Sequence, residues 1–569
     1  MTRRSWTTGV VLIGILAAGA AVNRAAVRAT FALDDFAQRA MIEGTLTLRR
    51  GPFNLYDLIA DDNRAALLDR GVIPWWSEPN LTMRFLRPLP SLLVWVDHRL
   101  FGNGAFGPHV FSFLWWAAAV LAAHVLYRTA VGRRAAWIAT LVFALSPTLA
   151  IPLVWLANRT VLLSVTFGAL ALALYVRWRD DRRSAVGLAT AGAFSAAALT
   201  GEYALCLMGY LIAFELCHRG EPFRRRVVGA LPAVGPLLLY AGVRAILGYG
   251  TAGTGFYRDP TSDLGTYLQA LPRAVSTLLG SAWLGTDATA PWFASEVVRA
   301  TLMVGAGVLV VATVWAAGRP RSQGRPLGGW WLACGSVLAL FPLAATEPAR
   351  RLLGVAALGI GGAVGVLLDV GMRRLRPPVR PSLVVVVAAM AAFVHLISAP
   401  FQTRRSSVDE VEDQSQSLAR FTTVPQRARS VDTALVIRAT QGLTALSAPF
   451  VLREDAPKHW LVLSHTFGQT AAIRTSASSV DVVQEKSALF PLGPTGIVRT
   501  SPFRVGDVVE TAALRAEVLK VDEAGRPQAV HYEFNRDLDS PDVAWISEGR
   551  SGFGDVVPPP VGIGVRLNR

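Results

Sequence analysis

Two adjacent carboxylates, Asp34 and Asp35, stand just past the first apolar segment of a chain that is otherwise rich in such segments. Further acids and guanidiniums recur at the ends of later apolar runs: Arg159, Glu202, Arg244, Glu347, Arg350 and Arg351. A carboxylate at that level can act as general base toward an acceptor hydroxyl. Arginines can grip a phosphate leaving group through paired, charge-assisted hydrogen bonds. Together the two types suit transfer of a group from a lipid phosphate. The competing reading is structural, with Glu202 and Glu347 neutralising Arg159 and Arg350 as ion pairs. Unpaired charges at membrane depth are costly, so both readings require these groups to face protein or water.

To serve one reaction, these residues must reach one side of a membrane. The 569 residues are 52% hydrophobic and 17% charged, with a mean hydropathy of +0.39, which is too apolar for an ordinary soluble protein and too long for one compact domain. Apolar segments recur at Thr8–Val22, Pro108–Tyr127, Ala135–Val154, Thr160–Val176, Ser184–Leu199, Tyr203–Leu216, Val227–Leu247, Val297–Ala317, Trp330–Ala345, Leu352–Val370 and Ser382–Ala399. Most approach the roughly 20 residues needed to cross a hydrocarbon core. The first follows the basic pair Arg3/Arg4 and is read as an uncleaved span; the alternative is a signal peptide cleaved near Ala26-Val-Arg-Ala29.

Arginine clusters occupy every second connection: Arg133/Arg134, Arg177 to Arg183, Arg224 to Arg226, Arg319 to Arg325 and Arg373 to Arg380. Positive connections stay cytoplasmic, so the long 23–107 loop, with Asp34 and Asp35, is expected outside, together with the tail beyond Pro400. The net charge of +16 is therefore read as topology. The arginines form no basic stripe with interleaved aromatics, and no nucleic-acid partner is expected. Ser91–Phe101 is too short and too charged to span, and is expected as an amphipathic helix along the interface.

Beyond Phe401 the apolar runs shorten, and Ala434–Arg438, His459–Leu463 and Ala512–Val521 look like strands, with a hairpin turn at Glu523–Pro527. The expected fold class is thus a polytopic all-α membrane protein with about 11 transmembrane helices (residues 1–400), followed by a small β-rich extracytoplasmic domain (401–569), a sandwich being one form it could take.

Other residues carry less chemistry. Cys206, Cys217 and Cys334 lack metal-ligand spacing and are expected as packing residues. His109, His124 and His395 are expected as satisfied histidines in or beside the spans, and Asp57, Asp61 and Asp62 as a solvated face or cap. No metal and no cofactor are expected. Trp75/Trp76 and Trp115/Trp116 are expected as interfacial anchors, with stacking on an acceptor sugar as the alternative for Trp75/Trp76.

An ordered set of landmarks runs through the chain: Arg84-Phe-Leu-Arg-Pro-Leu89, Leu100-Phe-Gly102, Gly107-Pro-His109, Trp155-Leu-Ala-Asn-Arg159, Leu199-Thr-Gly-Glu202-Tyr203, Tyr240-Ala-Gly-Val-Arg244 and Glu347-Pro-Ala-Arg-Arg-Leu-Leu353. Over roughly its first two-thirds the chain resembles GT-C membrane glycosyltransferases, in particular the transmembrane O-mannosyltransferase group that usually carries tetratricopeptide repeats, and its bacterial relatives. The resemblance implies an acidic pair after the first span as catalytic base, matched by Asp34/Asp35. It implies a Trp-x-x-x-Arg stretch matched by Trp155 and Arg159, a Lys-Glu pair matched by Gly201-Glu202, and a Glu-Arg-x-Leu-Tyr stretch matched by Glu347 to Leu353. The implied donor is a polyprenyl-phosphate-linked sugar, and the acceptor stays open between protein, lipid and glycan. The chain departs from the pattern at Gly201, at the leucine replacing tyrosine, and in lacking the repeats.

The expectation is therefore a multi-pass glycosyltransferase of a bacterial inner membrane. Asp34 would be the base and Asp35 would orient or pack. Arg244, Arg350 and Arg351 would hold the donor phosphate, and Arg159, Glu202 and Glu347 would shape the pocket. The alternative is a non-catalytic membrane scaffold whose C-terminal domain binds a partner, toward which Gly201 and the absent tyrosine point. A transporter would place charges at mid-membrane, whereas these cluster at one face.

Overall fold

The computed structural model describes residues 3–45, 48–217, 221–316, 328–375, 383–441, 446–484, 486–490 and 498–567. The arginines at 319–325 and 376–380 lie outside these. The chain divides into two units. One comprises Met1–Thr30, Phe85–Tyr249 and Asp263–Glu412; the other comprises Phe31–Arg84, Gly250–Ser262 and Asp413–Arg569. The single boundary drawn near residue 400 is thus replaced by a discontinuous division, and the helix Ala399–Thr422 runs through the last junction.

The first unit is helical. Six described helices are long and apolar enough to cross a membrane: Phe106–Ala130, Leu156–Asp181, Phe223–Ile246, Glu296–Ala316, Gly354–Arg374 and Leu383–Thr422. A pair bent by 46°, Arg133–Ala144 with Pro147–Val154, makes a seventh candidate, and Thr8–Val22, Ser184–Ala198 and Gly329–Leu343 are shorter apolar helices. Two helices are central: 83% of the apolar window of Gly354–Arg374 and 78% of that of Leu156–Asp181 is buried, against 17% for Glu296–Ala316. Small residues make that centrality possible, since they let backbones approach closely. A Cβ added at Gly359 would lie 2.2 Å from the Leu332 carbonyl oxygen. The helix expected at Ser91–Phe101 forms as Pro88–Phe101, its first turn opened by proline.

One stretch differs from the sequence reading. The connection 248–296, expected on the outer face, contains a 21-residue helix, Leu264–Leu284, with Pro272 inside it. Asp263 caps it by accepting a hydrogen bond from the Thr266 N–H at 3.0 Å. The interior proline and the polar residues scattered through its first half hid the helical period.

Among the described residues, the second unit holds three sheets. Strands β1 (Asp57–Ile59), β2 (Thr82–Arg84) and β3 (Gly250–Ala252) form a small antiparallel sheet. The tail contributes β4 (Thr433–Val436), β5 (His459–Val462), β6 (Thr470–Arg474), β7 (Ser479–Gln484), β8 (Val508–Glu510), β9 (Leu514–Val521), β10 (Pro527–Phe534), β11 (Val543–Gly549), β12 (Gly552–Asp555) and β13 (Gly564–Leu567). Six of these form an antiparallel sheet ordered β13-β6-β7-β10-β9-β8, and four a second sheet ordered β12-β11-β4-β5. In the latter, β11–β4 and β4–β5 pair in parallel.

The two ladders follow from their sequences. Strands β4 and β5 are buried at every position, as expected of parallel strands covered on both faces. Strand β9 instead alternates buried and half-buried residues over its first half, the period of a strand with one solvated face. The core between them takes in Trp75 and Trp76, 4% and 3% exposed. Trp76 stacks on Phe490 with centroids 4.6 Å apart, and Trp75 meets Tyr532 edge-on at 5.5 Å. These two tryptophans are core residues, neither interfacial anchors nor an open sugar platform. Glu78 ties the same loop to the tail, accepting hydrogen bonds from the backbone N–H groups of Thr500 (2.9 Å) and Ser501 (2.7 Å).

Candidate functional site

In the first unit the geometry centres on Glu202. The chain breaks after the helix Ser184–Ala198 and restarts in the turn Glu202–Cys206. Gly201 makes that break with φ +116° and ψ −165°, a region only glycine enters readily. The space a side chain would need is filled, because a Cβ at Gly201 would lie 2.6 Å from Cγ of Arg87. Arg87 in turn donates from Nε to Glu202 Oε2 at 3.0 Å. Its guanidinium lies 4.3 Å from the Phe85 ring and 5.8 Å from that of Tyr203, within cation–π range.

Two more cations belong to this group. Arg244 Nε stands 3.9 Å from Glu202 Oε1. Arg351 lies 5.6 Å from the Trp155 ring and acts electrostatically on Tyr203 together with Arg87 and Glu202. Tyr240 donates to the Leu86 carbonyl at 3.0 Å and is within electrostatic reach of Glu202, Arg87 and Arg244. Arg87, Glu202 and Arg244 are 13%, 23% and 13% exposed at their side chains. Three guanidiniums thus gather close to the Glu202 carboxylate at this partly buried place.

The Glu202–Arg159 ion pair contemplated from the sequence does not form. Arg159 is 1% exposed and donates to Asp97 and to the Pro108 carbonyl oxygen, the latter at 3.1 Å. It sits where the turn Leu156–Arg159 enters the long helix, facing Pro88–Phe101 rather than Glu202. Arg350 donates to Ser406 Oγ at 3.2 Å and is attracted by Asp287. Glu347 is half-buried.

In the second unit, Asp34 and Asp35 open the helix Asp34–Glu43. Carboxylates in a first turn are favoured by the helix dipole. The preceding residue, Leu33, has φ +47° without being glycine, a strained conformation of the kind that persists only where surroundings enforce it. Asp35 is 5% exposed and accepts a hydrogen bond from the Ala32 N–H at 3.0 Å. Asp34 is half-buried. Behind them Phe31 and Phe36 meet edge-on at 6.2 Å, and Arg39 binds Glu43 at 3.0 Å. Glu43 also pairs with Arg453 of the tail at 3.0 Å.

The remaining candidates resolve into structure. His109 bonds the Leu153 carbonyl, His124 the Thr140 hydroxyl and His395 the Trp283 carbonyl, at 3.1, 2.8 and 3.1 Å. Asp57 is no solvated residue; it is 3% exposed and pairs with Arg84 at 2.9 Å. Asp62 instead forms a two-pronged pair with Arg50. Trp116 is 2% exposed and packs against Phe113, which makes it a core residue too. Sequence reasoning missed two residues, Arg87 and Asp97. Arg87 lay in view within Arg84-Phe-Leu-Arg-Pro-Leu89, and the only signal for Asp97 was an acid interrupting an apolar run.

No family model matches the chain, and no curated protein matches it. Among solved structures, it is similar to the Archaeoglobus fulgidus oligosaccharyltransferase tethered with an acceptor peptide containing the NVT sequon, at 14% identity over 81% of this chain with a TM-score of 0.47. The archaeal oligosaccharyltransferase AglB from the same organism, in complex with an inhibitory peptide and a dolichol-phosphate, matches at 13% identity over 81% with a TM-score of 0.45. In both cases the match spans 65% of the archaeal chain. ArnT from Cupriavidus metallidurans, bound to undecaprenyl phosphate, matches at 13% identity over 80% of this chain and 86% of its own, with a TM-score of 0.42.

Proposed function

We propose that this protein is an integral-membrane glycosyltransferase of the GT-C kind, moving a sugar from a polyprenyl-phosphate-linked donor to an acceptor on the outer face of a bacterial inner membrane. The observation that carries the reading is the group around Glu202, where the guanidiniums of Arg87, Arg244 and Arg351 gather at one partly buried place. Arg244, Arg350 and Arg351 hold the donor phosphate, joined by Arg87; Glu202 aligns Arg87 and Arg244. Glu347 shapes the pocket, and Arg159 does so from behind, by fixing through Asp97 the turn that follows Trp155.

In the reaction, a carboxylate of the acidic pair takes the acceptor hydroxyl proton as the acceptor oxygen bonds to the anomeric carbon. The bond from that carbon to the phosphate oxygen breaks, and the electron pair leaves on the polyprenyl phosphate, whose charge the guanidiniums meet. Asp34 is assigned as base. Asp35 is already committed to the Ala32 N–H and orients the turn. The scaffold reading drew on the missing lysine at Gly201, but Glu202 keeps a cationic partner in Arg87. An undecaprenyl-type phosphate, named with the Cupriavidus protein, is the kind of carrier this reading requires.

The test is transfer in proteoliposomes from polyprenyl-phosphate sugars. Asp34→Asn should abolish transfer while the protein stays folded and inserted. An active Asp34→Asn/Asp35→Asn double variant would sink the assignment.

A further inference from the structure

Within the second unit, a cleft of about 870 Å³ opens beside the strand β5. One wall is the loop His465–Gln469, which leaves the carboxyl end of β5 in the parallel ladder, the usual side for ligands on such sheets. The other wall comes from the antiparallel sheet, through β6, β7 and Arg566 of β13, which is paired with Ala471.

The floor is polar and fixed. Gln484 is 2% exposed and its amide nitrogen donates to the Thr466 and Thr470 hydroxyls at 3.0 and 3.3 Å. Thr466 Oγ1 also accepts from the Gly468 N–H at 3.1 Å. A hydroxyl that accepts twice keeps its proton to donate outward. Ser487 Oγ, also in the lining, is buried and has no hydrogen-bond partner among the described residues. The rim carries Lys486, Arg526 and Arg566, all exposed, and the described lining includes no carboxylate. Arg526 is held in place by Asp522 at 2.7 Å. Phe467 is 68% exposed at the mouth and presents an open aromatic face among the described residues.

Hydroxyl and amide groups below, cations at the rim and one open aromatic ring together match a sugar ring that bears negative charge. We propose that this cleft binds an anionic carbohydrate, one carrying a phosphate or a carboxylate. The inference goes beyond the glycosyltransferase reading and does not depend on it, because its test reads binding and not turnover.

Full-length protein in nanodiscs is titrated with glucose 6-phosphate, glucuronate, glucose and inorganic phosphate, followed by saturation-transfer NMR. Saturable binding of glucose 6-phosphate or glucuronate is expected, at least about fivefold tighter than glucose or phosphate alone. Lys486→Ala/Arg566→Ala should weaken it about tenfold or more, the scale of a lost charge-assisted hydrogen bond, and Phe467→Ala should weaken it further. Arg405→Ala, an exposed arginine on the helix Ala399–Thr422, should change nothing. The proposal is overturned by the absence of saturable binding, by equal binding of glucose or phosphate, or by variants that bind like the parent. It is equally overturned if Arg244→Ala removes binding and Lys486→Ala/Arg566→Ala does not, since the sugar then occupies the first unit.

Discussion

At the scale of single residues, Gly201 and Arg87 form one device. The glycine lets the chain turn at φ +116° and leaves the space that the arginine stem occupies. Arg87→Ala removes a charge-assisted hydrogen bond worth about 1.5–3 kcal/mol. Transfer from a polyprenyl-phosphate sugar should therefore fall about 10- to 100-fold, with Arg87→Lys recovering part of it. Gly201→Ala should impair transfer as well, since any side chain there is both strained and in contact with Arg87. Kinetics in proteoliposomes, beside melting temperatures, checks both. Equal activity of Arg87→Ala and the parent would remove Arg87 from the donor site. Both residues stood in view in the sequence, but their union was not legible, because Arg87 and Glu202 lie 115 positions apart and meet only through packing. Asp34 and Asp35 were legible as an acidic pair, whereas the strain at Leu33 beside them was not.

At the scale of elements, apolar period and turn chemistry carried most of the reading. Among the described residues each of the eleven apolar segments contains helix, although Ala135–Val154 and Trp330–Ala345 are interrupted and six helices, or seven with the bent pair, are long and apolar enough to span. The β9–β10 hairpin turns at Asp522–Arg526 as its glycine and acid suggest. What failed was context. Leu264–Leu284 was concealed by its proline and polar residues, and the parallel ladder could not be told from an antiparallel one by short apolar runs alone. Arg159 on Leu156–Asp181 and Asp97 on Pro88–Phe101 illustrate the energetic side of packing, since they lock two elements by a buried ion pair. Removing one partner of such a pair costs about 3–5 kcal/mol, while replacing both with apolar residues is often neutral. Asp97→Asn and Arg159→Met should each lower the unfolding midpoint markedly, and Asp97→Leu/Arg159→Met should restore most of it. Additive losses in the double variant would contradict a direct pairing.

At the scale of the whole molecule, we propose eleven spans with the tail outside, resting on arginine clusters in alternate connections. Single cysteines introduced at exposed Arg405 and Asp555 should react with an impermeant maleimide from the periplasmic side of intact cells, and one at exposed Arg183 should not. Labelling of Arg183→Cys alone would invert the topology. The existing thiols favour the experiment, for Cys206 is fully buried and only Cys217 and Cys334 remain partly accessible.

The tryptophans Trp75 and Trp76 have a consequence in time. They close a core whose other members, including Phe490, Phe503 and Tyr532, are translated last. Of the residues 85–412 that intervene, only 250–262 join the same unit. At about 5–20 residues per second, the ribosome needs tens of seconds to cover that distance. Throughout it, the first loop has left the ribosome with two indoles and Glu78 lacking their partners, so this unit is completed only at the end of synthesis. A stop codon between the first unit and Phe490 would strand that loop as well as shorten the chain.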